Sequence, residues 1–261
     1  MLEPIQYVLG VLSGGVVGFV LGLVGGGGSI LAVPLMVYVV GVSNPHVAIG
    51  TSAFAVAVNA ASGLASHARH GHVKWKCSLV FALAGIAGAA GGSTLGKSFD
   101  GQKLLFLFAL VMIVVGVLML RGRGQSGNAA VRLGRENAGK LVAYGFGAGL
   151  LSGFFGIGGG FLIVPGLIAA TGMPILNAVG SSLVGVTSFG LTTAGNYAIS
   201  GLVDWPLSVA FIAGGLGGGI LGTRAARNLS AKRDSLKLVF AVLIFVVAAY
   251  MLLQTAAEIL R

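Results

Sequence analysis

Apolar segments of nearly spanning length follow one another along this 261-residue chain, with the charged residues gathered between them. A helix needs about 20 mostly apolar residues to cross the hydrocarbon of a bilayer. Leu104 to Leu120 and Leu238 to Leu253 approach that length, and at least seven such stretches occur. Only 8% of the residues are charged, against roughly 25% in soluble domains, so a soluble fold is excluded. The predicted fold class is an all-α polytopic membrane protein.

The net charge of +10 raises the question of nucleic acid, whose binding proteins cluster basic residues on one exposed face. Here Arg121, Arg123, Arg132, Arg135 and Lys140 fill one linker, and Arg224, Arg227, Lys232, Arg233 and Lys237 fill another. Basic loops between apolar segments are topology determinants that stay cytoplasmic, so the partner they imply is the lipid bilayer and no nucleic acid. Cys77 is the single cysteine, which leaves no intramolecular disulfide and no thiolate metal cluster. Neither a metal nor any other cofactor is expected. The start, MLEPIQYVLG, lacks the basic n-region of a signal peptide, so the first helix is expected to be retained.

The chain also contains itself twice. Gly22 to Met36 reads GLVGGGGSILAVPLM and Gly153 to Leu167 reads GFFGIGGGFLIVPGL, with Pro34 and Pro165 in matching places. Ala48 to Ser52 (AIGTS) then matches Ala178 to Ser182 (AVGSS), Gly71 to Trp75 (GHVKW) matches Gly201 to Trp205 (GLVDW), and Gly88 to Ser93 matches Gly218 to Thr223. The same order at a nearly constant offset predicts two homologous repeats: residues 1–120, a basic cytoplasmic linker over 121–139, and residues 140–261. Five segments per half, if all cross, invert the second repeat and place the basic loops on one side, as the positive-inside rule asks. Four crossings per half split those loops between the two sides. The short segments after the glycines, Ser29 to Val40 and Gly160 to Ala170, have half-helix length, so the count lies between eight and ten transmembrane or half-membrane helices.

Glycine runs inside apolar segments break helices, and broken backbone at membrane depth must line protein or a cavity. A helix that restarts after such a break offers free N–H groups and the positive end of its dipole to an anion. The predicted substrate-binding residues are therefore Gly25, Gly26, Gly27, Gly28 and Ser29 in the first half and Gly156, Gly158, Gly159 and Gly160 in the second. All six acidic residues lie in loops or near segment ends. With no intramembrane carboxylate, the pattern argues against a cation substrate, and an anion near the midplane would need neutral donors. Thr51, Ser52, Ser181 and Ser182 supply hydroxyls for that purpose, with Asn59 and Asn196 behind them. His67, His70 and His72, beside Arg69 and Lys74, read as solvated residues of a cytoplasmic loop, and Trp75 and Trp205 as interfacial anchors that begin helices.

In the two glycine motifs with the proline beyond each, the AIGTS and AVGSS pair, and the GHVKW and GLVDW pair, the chain resembles the sulfite exporter TauE/SafE family, also described as the 4-toluenesulfonate uptake permease group. The resemblance covers essentially the whole chain. It implies a secondary transporter of sulfur-containing anions such as sulfite, sulfoacetate or related organosulfonates, in a bacterial inner membrane. The first half carries GGGGS where the second carries GIGGG, so Ser29 and Gly160 are not equivalent donors. No Walker motif for nucleotide phosphates is present, and no nucleophile, base and orienting group form a set, so neither an ATPase nor another enzyme is expected. A passive anion channel, or a permease for another small anion, is the alternative. The glycine-rich helix faces suit a homodimer and internal packing equally.

Overall fold

The computed structural model describes residues 3–24, 26–121, 133–228, 242 and 244–255. Ten helices make up the described residues. In order they are α1 (Pro4–Val24), α2 (Gly28–Val39), α3 (Pro45–Arg69), α4 (Trp75–Ser98), α5 (Gly101–Arg121), α6 (Arg135–Phe155), α7 (Gly160–Thr171), α8 (Ile175–Ile199), α9 (Trp205–Asn228) and α10 (Ile244–Thr255). Five of them, α1, α3, α4, α8 and α9, are long and apolar enough to cross a membrane. The chain is a polytopic all-α membrane protein, as its apolar segments specify. Parts of both basic linkers, including Arg123, Arg132, Lys232, Arg233 and Lys237, lie outside the described residues, as does Gly25.

Helix ends follow local chemistry. Asn44 caps α3, its side chain accepting from the His46 N–H at 2.9 Å, with Pro45 in the first turn where a missing N–H is harmless. Asp100 Oδ1 accepts from Gln102 and Lys103 N–H at the start of α5, and Asp204 Oδ1 accepts from Leu207 N–H at the start of α9. These two carboxylates cap helices at segment ends. Both tryptophans open helices as expected, after turns in which Gly71 and Gly201 take φ of 69° and 68°, a region glycine enters without strain.

The core is built from glycine. Matched positions of the two halves lie 130 or 131 residues apart, as with Gly50 and Gly180 or Gly18 and Gly149. Helix α1 packs along α9, and its counterpart α6 packs along α4, while α3 packs on α8. A Cβ on Gly14 or Gly18 would run into the backbone of Phe211 or Gly215, and a Cβ on Gly145 or Gly149 into that of Phe81 or Gly85. Small residues let membrane helices approach backbone to backbone, where dispersion replaces the missing hydrophobic drive. These faces are used inside the chain. Outward-facing Leu79, Leu83, Val209 and Leu221 are exposed, as lipid-facing side chains should be.

A candidate anion site between helices α1, α3 and α9

The second glycine break has the geometry its sequence predicts. Helix α6 stops at Phe155, Gly156, Gly158 and Gly159 take φ of 69°, 65° and 67°, and α7 restarts at Gly160. Only glycine holds three left-handed positions in so short a stretch without steric penalty. The first N–H groups of α7 lack partners in their own helix. Against the Gly159 turn lies Ser152 Oγ, fully buried and without a hydrogen-bond partner, 2.9 Å from where a Gly159 Cβ would stand. Gly158 itself sits between Val56 of α3 and Val186 of α8, which are matched positions.

The first break is different. Gly26 to Leu31 forms a tight 3-10 turn at the head of α2, and the helix loosens to a π turn over Leu35–Val39 just after Pro34, which cannot donate a backbone hydrogen bond. Gly28 is not left-handed. Gly28 packs against the α1 backbone at Leu21, and Ser29 is fully buried. The Gly26–Leu31 turn rests on α7 and α8, so the fold brings the two breaks together.

Two of the four predicted hydroxyls hold loops. Thr51 Oγ1 accepts from Asp204 N–H at 2.9 Å, and its counterpart Ser181 Oγ accepts from Lys74 N–H at 2.9 Å. Each docks the turn before one of the tryptophan helices onto the other half. Ser52 Oγ donates to the Ile49 carbonyl at 3.1 Å, and Ser182 Oγ to the Val179 carbonyl at 2.8 Å. Asn196 is engaged as well: its Nδ2 donates to Ser93 Oγ at 2.6 Å and Thr94 Oγ1 at 2.9 Å, and its Oδ1 accepts from Lys97 Nζ at 2.7 Å.

Asn59 is different in kind. It is 5% exposed, yet neither its amide oxygen nor its amide nitrogen has a partner. An unsatisfied buried polar group costs about 1–3 kcal/mol, so the chain carries a liability here that packing could have avoided. The amide lies against Gly215 of α9 and lines a cleft of about 170 Å³ between α1, α3 and α9, with Leu183 of α8 at one wall. Along α3 the cleft is lined by Asn59, Ser62, Gly63, Ser66 and His67, the i, i+3, i+4, i+7, i+8 spacing of one helix face. Thr223 adds a hydroxyl from α9.

Among the described lining residues there is no carboxylate, lysine or arginine. His67 lies in the last turn of α3, half-buried, its Nδ1 sealed from solvent and without a partner. The solvated-loop expectation is corrected for this residue, because α3 runs on to Arg69 and turns the ring into the cleft. The rings of His67 and His72 are 5.7 Å apart, and those of His70 and His72 are 6.0 Å apart. Ser62, Ser66 and Thr223 escaped the sequence reading, which named His67 only as a loop residue, although the polar stripe on an otherwise apolar α3 was a usable signal. Among the described residues no group of His, Cys, Asp and Glu could hold a metal ion.

The family model described as "Sulfite exporter TauE/SafE" matches residues 10–251. The chain is 52% identical to a probable membrane transporter protein of Xylella fastidiosa strain Temecula1, over 95% of each chain. It is 29% identical to the probable membrane transporter protein YunE of Bacillus subtilis strain 168, over 87% of this chain and 91% of that one. No solved structure matches it. The matches name a membrane transporter and not an enzyme, and with the apolar helices they make this a multi-pass protein of the inner membrane. The chain belongs to the sulfite exporter TauE/SafE family.

Proposed function

We propose that this protein is a secondary transporter of small sulfur-containing anions, namely sulfite, sulfoacetate or related organosulfonates. The anion binds in the cleft at Asn59 and moves towards the paired breaks at Gly26–Ser29 and Gly156, Gly158, Gly159 and Gly160. Thr51, Ser52, Ser181 and Ser182 shape the walls around it. Two inverted repeats, residues 1–120 and 140–261 joined by the linker 121–139, rock against each other to alternate access. That arrangement is supported by the exchange-symmetric packing of α1 on α9 and α6 on α4.

The observation that carries this reading is the inequality of two matched places. On one side the cleft is open and lined by neutral donors, with Asn59 unpaired. On the matched side the counterpart of Asn59 is Phe189, whose ring fills the space against Gly85. Beyond it, Lys97 of α4 ties α8 down through the Asn196 carbonyl at 3.0 Å, Asn196 Oδ1 at 2.7 Å and Ser200 Oγ at 2.7 Å. An opening on one side and a tie on the other is what one state of an alternating-access carrier requires. Sulfonates suit the cleft because three acceptor oxygens match amide, hydroxyl and imidazole donors.

The test is counterflow in proteoliposomes preloaded with sulfite, sulfoacetate, methanesulfonate, sulfate or acetate, with labelled anion outside. Transient accumulation of a labelled sulfur anion against its gradient, saturating with concentration, is expected. Flux without counterflow indicates a channel, and no flux of any sulfur anion sinks the reading.

A further inference from the structure

Resting on that reading, we propose that His67 is the proton-binding residue of the anion site, so that a proton travels with each anion. The residues that line the cleft supply an amide, hydroxyls and apolar side chains, and among those described His67 alone can change charge between about pH 5 and 8. A site without a fixed cation holds an anion poorly once water is excluded, because a buried charge needs a compensating one. Protonated His67 supplies that charge at the cleft wall, four residues, about one helical turn, beyond Gly63 and two turns beyond Asn59.

The ring is placed for the task. Its Nδ1 is withdrawn from solvent and has no partner in the protein, so protonation there leaves an N–H that no protein group satisfies. The neutral ring offers one donor and one acceptor, whereas the protonated ring donates from both nitrogens. His70 and His72, from the turn after α3, are the titratable groups that face it. Gly22 of α1, Leu183 of α8, and Ile220 and Thr223 of α9 line the cleft without titrating. A bound anion favours a charge on the ring. The proton comes from water on the side where the anion enters and leaves with it on the other side. An O–H bond of hydronium breaks as the ring N–H forms, and the reverse occurs on release.

Linkage fixes the sign. An anion that binds the protonated form more tightly raises the His67 pKa, so its affinity is fully present below the empty-site pKa. Above that value affinity falls about tenfold per pH unit until the pKa of the loaded site is passed. The probes are methanesulfonate and sulfoacetate, whose sulfonates stay charged throughout. Affinity for purified protein is measured across about pH 5 to 8, with proton uptake followed in weak buffer. We expect the tenfold slope and about one proton taken up per anion bound at the alkaline end.

His67→Gln should bind more weakly at acid pH and show no slope. His67→Lys should keep binding at the alkaline end, while His70→Gln and His72→Gln should keep the slope. Elution as a single species and an unchanged unliganded melting point establish folding, and proton uptake by the wild type stands even if a variant fails to fold. Wild-type affinity without pH dependence, binding without proton uptake, or an unchanged slope in folded His67→Gln overturns the inference while leaving the transporter reading intact. No binding of either sulfonate at any pH sinks both.

Discussion

Asn59 against Gly215 and Phe189 against Gly85 occupy matched places in the two halves, and the fold treats them in opposite ways. In one place an amide is buried without partners beside a cleft. In the other a phenyl ring is fully buried and stacked on Phe81 with ring centroids 6.3 Å apart. The surrounding helix pairs use the same glycine spacing, so backbone packing does not dictate the difference. Stability favours the ring, which satisfies itself by contact, whereas the amide needs something else to bond. The comparison teaches that the same glycine spacing carries two opposite side-chain choices.

The largest effect should come from breaking the scaffold itself. Gly149→Leu and Gly18→Leu each put a side chain into the facing backbone, and overpacking of a tight interface costs about 1–3 kcal/mol or more. Both variants should lose the folded species on size exclusion. Gly147→Ala, where a Cβ meets open space, should instead raise the melting point, by about 0.5–1 kcal/mol of stability.

Next comes the substitution that makes the two places alike. Asn59→Phe should fill the cleft as Phe189 fills its own place, abolishing sulfonate binding while holding or raising the melting point, since it removes an unsatisfied amide worth about 1–3 kcal/mol. Binding by the folded variant at wild-type affinity would break the comparison. Asn59→Asp should weaken anion binding by at least about tenfold, the effect of a like charge of about 1.4 kcal/mol or more.

A smaller effect is expected at the tie. Lys97→Gln loses hydrogen bonds from a charged donor, each worth about 1.5–3 kcal/mol, and shifts the population towards the state in which α4 and α8 part. Labelling of Ser200→Cys should become faster in that background. Smallest of all, Thr51→Ala and Ser181→Ala should each lower stability by about 1 kcal/mol, read as matched small drops in melting point.

Much of the architecture was legible because it is local. Helix starts at Trp75 and Trp205, the restart at Gly160, and the half-length α2 and α7 follow from glycine, proline and apolar run length. The head of α2 departed from expectation because its glycines accept a 3-10 turn where Gly156, Gly158 and Gly159 turn left-handed. The candidate site was less legible, since its meaning lies across the fold. Thr51 meets the Asp204 N–H from 153 residues away and Ser181 meets the Lys74 N–H from 107, so hydroxyls that look like donors for an anion accept from loops instead. Asn59 and Asn196 read alike in the sequence, as neutral donors behind the hydroxyls, and only the fold separates them by leaving the Asn59 amide unpartnered beside an opening. Lys97 reads as a helix-end charge until Asn196 and Ser200 converge on it.

The central claim is that the α1, α3 and α9 cleft is where the anion binds, open to one side of the membrane. In a Cys77→Ser background, which removes the buried native thiol, Ser66→Cys is labelled in oriented vesicles by a membrane-impermeant thiol reagent, with and without methanesulfonate. The account predicts labelling from the cytoplasmic face alone, slowed by methanesulfonate but not by chloride, with the slowing abolished by Asn59→Phe. Equal labelling with and without methanesulfonate, or protection that persists in Asn59→Phe, would contradict it.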